Sequence, residues 1–106
     1  MYPLPLPVGK VIDYIENRND LDADRIGLWG VSLGGYYVPR AAAYEKRIQA
    51  CIGLSGPYDW GAVWDSLPIL TKEAFRVRSH STNEEEARLL ALKFSLKGVA
   101  SEITCP

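Results

Sequence analysis

The five residues Gly30, Val31, Ser32, Leu33 and Gly34 constrain this chain more than any other stretch. They follow a short apolar run, Arg25 to Gly30, and open a segment whose spacing predicts a helix from Leu33 to about Tyr44. The backbone must therefore leave a strand and enter a helix within a few residues. Such a turn forces its central residue into a sparsely populated conformation with the side chain pointing outward. Glycines two before and two after Ser32 leave room for the close approach. The Ser32 hydroxyl is then expected at the strand's carboxyl end, above a helix N-terminus. The backbone N–H of Leu33 points where a negative oxygen would develop, and the helix dipole favours that charge.

The flanking periodicity supplies the frame. Pro3, Pro5 and Pro7 predict an extended arm over the first seven residues. Val8, Val11, Ile12 and Ile15 then share one helical face, with Pro7 suited to the first turn. Turn chemistry at 19–22 ends that helix near Arg18. Ile26–Trp29 reads as a strand buried on both faces, and Ile48–Leu54 as a second, ended by Ser55, Gly56 and Pro57. Ala41, Ala42 and Ala43 favour helix, whereas Pro39 predicts a kink in it. Helix, strand, helix, strand is the order of an α/β parallel sheet with crossover helices.

The second half differs in character. Asp59 to Leu70 has no clean period. A short helix is expected over 71–78, and Thr82 with Glu85 fits a capping box. Ala87, Leu90, Ala91 and Phe94 share a face of a helix predicted from about Asn83 to Ser95. The division expected is 1–57 as a sheet core carrying the serine turn, and 58–106 as a helical cover leading to the next core strand.

Composition narrows the partners. Net charge is −1 with Lys and Arg scattered, so no nucleic-acid surface is expected. Gly30 to Gly35 has phosphate-loop spacing, but Tyr36 and Tyr37 stand where Lys and Ser or Thr are required. No G-x-G-x-x-G occurs, so a dinucleotide site is not expected, and the reading includes no cofactor. The two cysteines, Cys51 and Cys105, make neither a C-x-x-C pair nor a disulfide framework, and read as reduced thiols of a cytoplasmic protein. Cys51 lies in an apolar run and reads as core. The start has no signal-peptide pattern, and no run approaches the length of a membrane span.

Arg25 to Pro57 resembles the α/β-hydrolase superfamily, and within it is similar to the group holding dihydroxypseudooxynicotine hydrolase and the FrsA-type esterases. Leu70 to Phe75, Glu84 to Arg88 and Ile103 to Pro106 share that similarity, so it runs from about Val8 to the end. The resemblance implies a serine nucleophile, matched by Ser32, and an oxyanion-binding amide, matched by Leu33. An acid and then a histidine follow in chain order. It further implies hydrolysis of a small-molecule ester, or of an activated carbon–carbon bond beside a ketone, through an acyl-enzyme. The pattern is expected to break after Ile103 to Pro106, where in relatives the strand leading to the acid begins. The earlier strands and the loop giving a second oxyanion amide are also expected to be absent. The expectation is a middle slice of a longer hydrolase, nearly inactive alone because a serine without a base is a weak nucleophile.

His80 is the single histidine, and Asp59 and Asp65 precede it, so a triad order with Ser32 is formally satisfied. The resemblance instead places this region in helical cover, and the polar stretch 78–81 reads as a solvated loop. Asp59, Trp60 and Trp64 follow the second strand and could line a pocket, core packing being the simpler reading. Glu84 to Glu86 reads as an acidic first helical turn rather than a metal site. The alternative to an enzyme is a truncated, non-catalytic fragment that associates through exposed sheet edges.

Overall fold

The computed structural model describes residues 5–106. The chain falls into two compact units. The first comprises the residues up to Gly56 together with Gly98–Pro106, and the second is Pro57–Lys97.

In the first unit, helix α1 spans Pro5–Glu16. The extended arm expected over the first seven residues is corrected at Pro5, where α1 already begins; Pro7 sits in the first turn as expected, where a missing N–H leaves no bond unmade and a φ near −65° suits the helix. Pro3 lies outside the described residues. Ile12 is buried and Val8 packs beside it, whereas Val11 faces solvent, so the inward stripe is narrower than the spacing predicts. Strands β1 (Gly27–Val31) and β2 (Ala50–Leu54) pair in parallel, with Leu28 opposite Cys51 and Val31 opposite Leu54. Helix α2, Leu33–Tyr44, crosses between them, with bounds that match the expectation. It runs unbroken through Pro39.

Leu28 and Cys51 turn toward a core of Ile12, Ala41, Ala42 and Ile48, which Ile103 and Cys105 also join. Their strand neighbours Trp29, Val31, Ile52 and Leu54 point the other way, and are 50–68% exposed. The strands are thus covered on one face and not on both, because α1 and α2 supply cover to a single side of the pleat. Arg47 fastens α1 to the loop after α2. Its guanidinium meets Glu45 at 2.8 Å, Asp13 at 2.7 Å and Glu16 at 3.1 Å. The hydrogen bond to Arg47 holds the Glu45 carboxyl below its usual range. Residues 98–106 return to this unit, where Lys46 bonds the Glu102 carbonyl and the Cys51 N–H donates to Pro106 O at 2.9 Å.

The second unit is built on aromatic rings. Short helix α3 (Trp60–Val63) and the 3₁₀ turn Trp64–Ser66 precede α4 (Ile69–Arg78) and α5 (Glu84–Ala91). Phe75 lies at the centre, 5.7 Å from Trp60, 5.6 Å from Trp64 and 5.2 Å from Phe94 between ring centroids. Asn83, not Thr82, caps α5: its side chain accepts from Glu86 N at 2.8 Å, while the Glu86 carboxylate reaches back to the Thr82 N–H and hydroxyl, each at 2.7 Å. The box is displaced by one residue, as expected of Asn, the stronger cap. Helix α5 ends at Ala91, four residues short of the expectation, because Lys93 and Phe94 donate to carbonyls three residues back and turn the chain. That turn buries Phe94 and Leu96 and lets Leu96 N donate to Tyr58 O at 2.9 Å.

Candidate active site

Ser32 is the single residue between the end of β1 and the start of α2. Its backbone is at φ 58° and ψ −118°, a region that side chains other than hydrogen rarely occupy. Two hydrogen bonds hold it there. Its N–H donates to Leu54 O at 2.9 Å, continuing the sheet ladder by one step, and its carbonyl accepts from Gly35 N at 2.9 Å. The side chain is exposed and makes no capping bond to the helix it precedes. Leu33 is the first residue of α2, so its N–H belongs to the opening amides of a helix, which have no intrahelical acceptor. The structure therefore brings a serine hydroxyl and an electropositive helix end to the carboxyl edge of a parallel pair of strands.

Ser32→Gly is expected to stabilise the chain by about 1 kcal/mol, because glycine adopts this φ without strain. Urea denaturation measures this, and an unchanged or lower midpoint would show that the conformation stores no strain.

The glycines around this turn are placed by close packing. A Cβ on Gly30 would meet Val38 Cγ2 at 2.7 Å and would also strike the Gly34 backbone. Gly34, the second glycine of the motif, has no atom within 4 Å of such a Cβ. The crowding expected there lies one residue later. A Cβ on Gly35 would stand 2.5 Å from Leu54 O and 2.7 Å from Gly56 N. One on Gly53 would lie 2.6 Å from Gly35 O, and one on Gly56 would collide with the backbone of Gly35 and Tyr36. The first turn of α2 thus rests directly on the end of β2, which is what fixes the serine turn.

A family model described as the prolyl oligopeptidase family matches residues 8–94. The chain belongs to that family. Its curated relatives include a 2,6-dihydropseudooxynicotine hydrolase of Paenarthrobacter nicotinovorans, 38% identical over 97 residues that make up 91% of this chain and 26% of the relative. A 20-hydroxy-prefusarin hydrolase of Gibberella moniliformis is 43% identical over 56 residues, 49% of this chain and 13% of the relative. Among solved structures, that of the 2,6-dihydroxy-pseudo-oxynicotine hydrolase superposes with a TM-score of 0.84 at 34% identity, covering 96% of this chain and 29% of that one. The fold is that of a segment of an α/β-hydrolase. The chain spans less than a third of the length of each of these proteins.

The other candidate residues of this family member lie in the second unit, each engaged locally. Asp59 caps α3, accepting from Ala62 N at 3.1 Å, and its other oxygen meets Lys97 at 3.2 Å and Ser95 Oγ at 3.3 Å. The Ala62 N–H, followed by the Lys97 ammonium, keeps this carboxyl below its usual range. Asp65 lies in the 3₁₀ turn, and His80 is exposed in the loop after α4, with φ 59° and its N–H donating to Val77 O. Trp60 and Trp64 are 3% and 2% exposed, which is the packing reading of these residues. Glu84 pairs with Lys72 at 3.7 Å, Glu85 with Arg88 at 3.0 Å, and Glu86 serves the cap. Among the described residues no group of three His, Cys, Asp or Glu side chains is placed to hold a metal. No described helix is long and apolar enough to cross a membrane.

Sequence reasoning gave Gly35, Gly53 and Gly56 no packing role and Ser55 only that of ending β2. Ser55 follows β2 with φ 58°, just as Ser32 follows β1. The doubled glycine at 34–35 and the pair at 53 and 56 were the available signal, but their roles emerge only when α2 and β2 are packed together.

Proposed function

We propose that this chain is the nucleophile-bearing part of a serine hydrolase acting on a small-molecule ester, or on an activated carbon–carbon bond beside a ketone. The observation that carries the reading is the backbone of Ser32, held at φ 58° and ψ −118° between a strand and a helix with its hydroxyl exposed. Ser32 Oγ attacks the substrate carbonyl, and the resulting oxyanion is met by the Leu33 N–H at the positive end of α2. Collapse of the tetrahedral adduct expels the leaving group and leaves an acyl group on Ser32, which water then removes. Family membership and hydrolase relatives support this chemistry. A general base must take the Ser32 proton. In the chain order of α/β-hydrolases, an acid and then a histidine that do so follow the serine. In this reading residues 1–57 are core, residues 58–106 are a helical cover segment whose end leads back to the next core strand, and the protein works in the cytoplasm without a cofactor.

A fluorophosphonate probe tests the assignment, with imidazole added as a diffusible base. Intact-mass analysis is expected to show one probe per chain, located at Ser32, and none on Ser32→Ala. Absence of label from the folded wild-type chain, or label retained by Ser32→Ala, would overturn it.

A further inference from the structure

The two cysteines are brought together by the fold and are not used by the proposed chemistry. Cys51 sits in β2, bonded on one side to β1 through its place opposite Leu28. On its other side its N–H donates to Pro106 O at 2.9 Å, which lays the last residues of the chain alongside it. Both side chains pack against the same core residues, Ile12, Ala41, Ala42 and Ile48, so the two thiols share one face of β2. Both are free and only partly buried, so a small oxidant can reach them. Residues 51 and 105 also bracket the whole second unit, Pro57–Lys97.

We infer that Cys51 and Cys105 form a reversible intrachain disulfide that closes the loop containing the second unit. The oxidant is a small disulfide such as oxidised glutathione. One thiolate attacks a glutathione sulfur, forming a mixed disulfide and releasing one glutathione thiol. The second thiolate then attacks the protein sulfur of that mixed disulfide, releasing the other glutathione thiol. Two protein thiols lose two electrons and two protons, and one small disulfide becomes two thiols. Burial, with the neighbouring Cys105 adding to it, pushes the Cys51 thiol up, so closure is expected to quicken as pH rises. Reduced at rest and closed under disulfide stress is the pattern of a redox-responsive pair rather than of a permanent crosslink.

The test treats the 106-residue chain with oxidised glutathione and measures intact mass. The expected product has lost the mass of two hydrogens, carries no glutathione, remains a monomer, offers no thiol to iodoacetamide after unfolding, and reverts with dithiothreitol. Closing so long a loop is expected to raise the Tm by on the order of 10 °C. Cys51→Ala and Cys105→Ala should each gain a single glutathione and show no such rise. Wild-type chains that carry glutathione on both cysteines, that crosslink into dimers, or that keep both thiols alkylatable would overturn the inference. The wild-type result decides it even if one variant fails to fold.

Discussion

Gly56→Ala is expected to destabilise the first unit by about 3 kcal/mol, the upper end of what overpacking costs. The added methyl would enter the backbone of Gly35 and Tyr36, which cannot swing aside as a flexible side chain can. Gly56 is not at positive φ, so backbone strain plays no part and the effect is steric alone. Gly34→Ala is the matched control. It lies in α2 with open space around it, and the gain in helix propensity is expected to stabilise by about 0.5–1 kcal/mol. Urea denaturation of both variants measures the pair. Equal midpoints would mean that the first turn of α2 is free to lift from β2, and that Ser32 is not held as described.

Trp64→Ala should cost about 3–5 kcal/mol, the usual range for truncating a fully buried aromatic. Trp64 is 2% exposed, meets Phe75 edge-on at 5.6 Å and carries the Lys72 ammonium 5.9 Å above its ring. The second unit spans only Pro57–Lys97, so this ring is a large part of what holds it together. Limited proteolysis is the direct readout. Cleavage should move into residues 57–97 while α1, β1, α2 and β2 stay protected. Unchanged protection of 57–97 would show that Phe75 and Phe94 suffice without it.

Much of the first unit was legible because its signals are local. Leu33 and Tyr44 bound α2 where the serine turn and the alanine run place its limits, and the strands follow from two apolar runs flanked by turn residues. What periodicity could not show was how many sides of a strand are covered. Trp29 and Ile52 are as apolar as core residues, yet they face away from α1 and α2. The start of α1 lies two residues earlier than Pro7 because Pro5 suits an extended arm and a first helical turn equally well. At α5, Thr82 and Asn83 are both capping residues, and only the reach of Glu86 decides between them. The site was legible at Ser32, whose motif encodes its own turn. Gly35 and Gly56 were not, because their partners are distant in sequence and nothing in either neighbourhood names the other.

The two units differ in how the chain visits them. Pro57–Lys97 is one uninterrupted run, whereas the first unit is assembled from two runs separated by it. During synthesis from the amino end, residues 57–97 can therefore complete their fold before Glu102 and Pro106 leave the ribosome to join Lys46 and Cys51. The serine turn is drawn up early and its surrounding unit is finished last. Because the entropy of bridging such a gap grows only with the logarithm of its length, the intervening run can lengthen or shorten over evolution while the turn at Ser32 stays as it is.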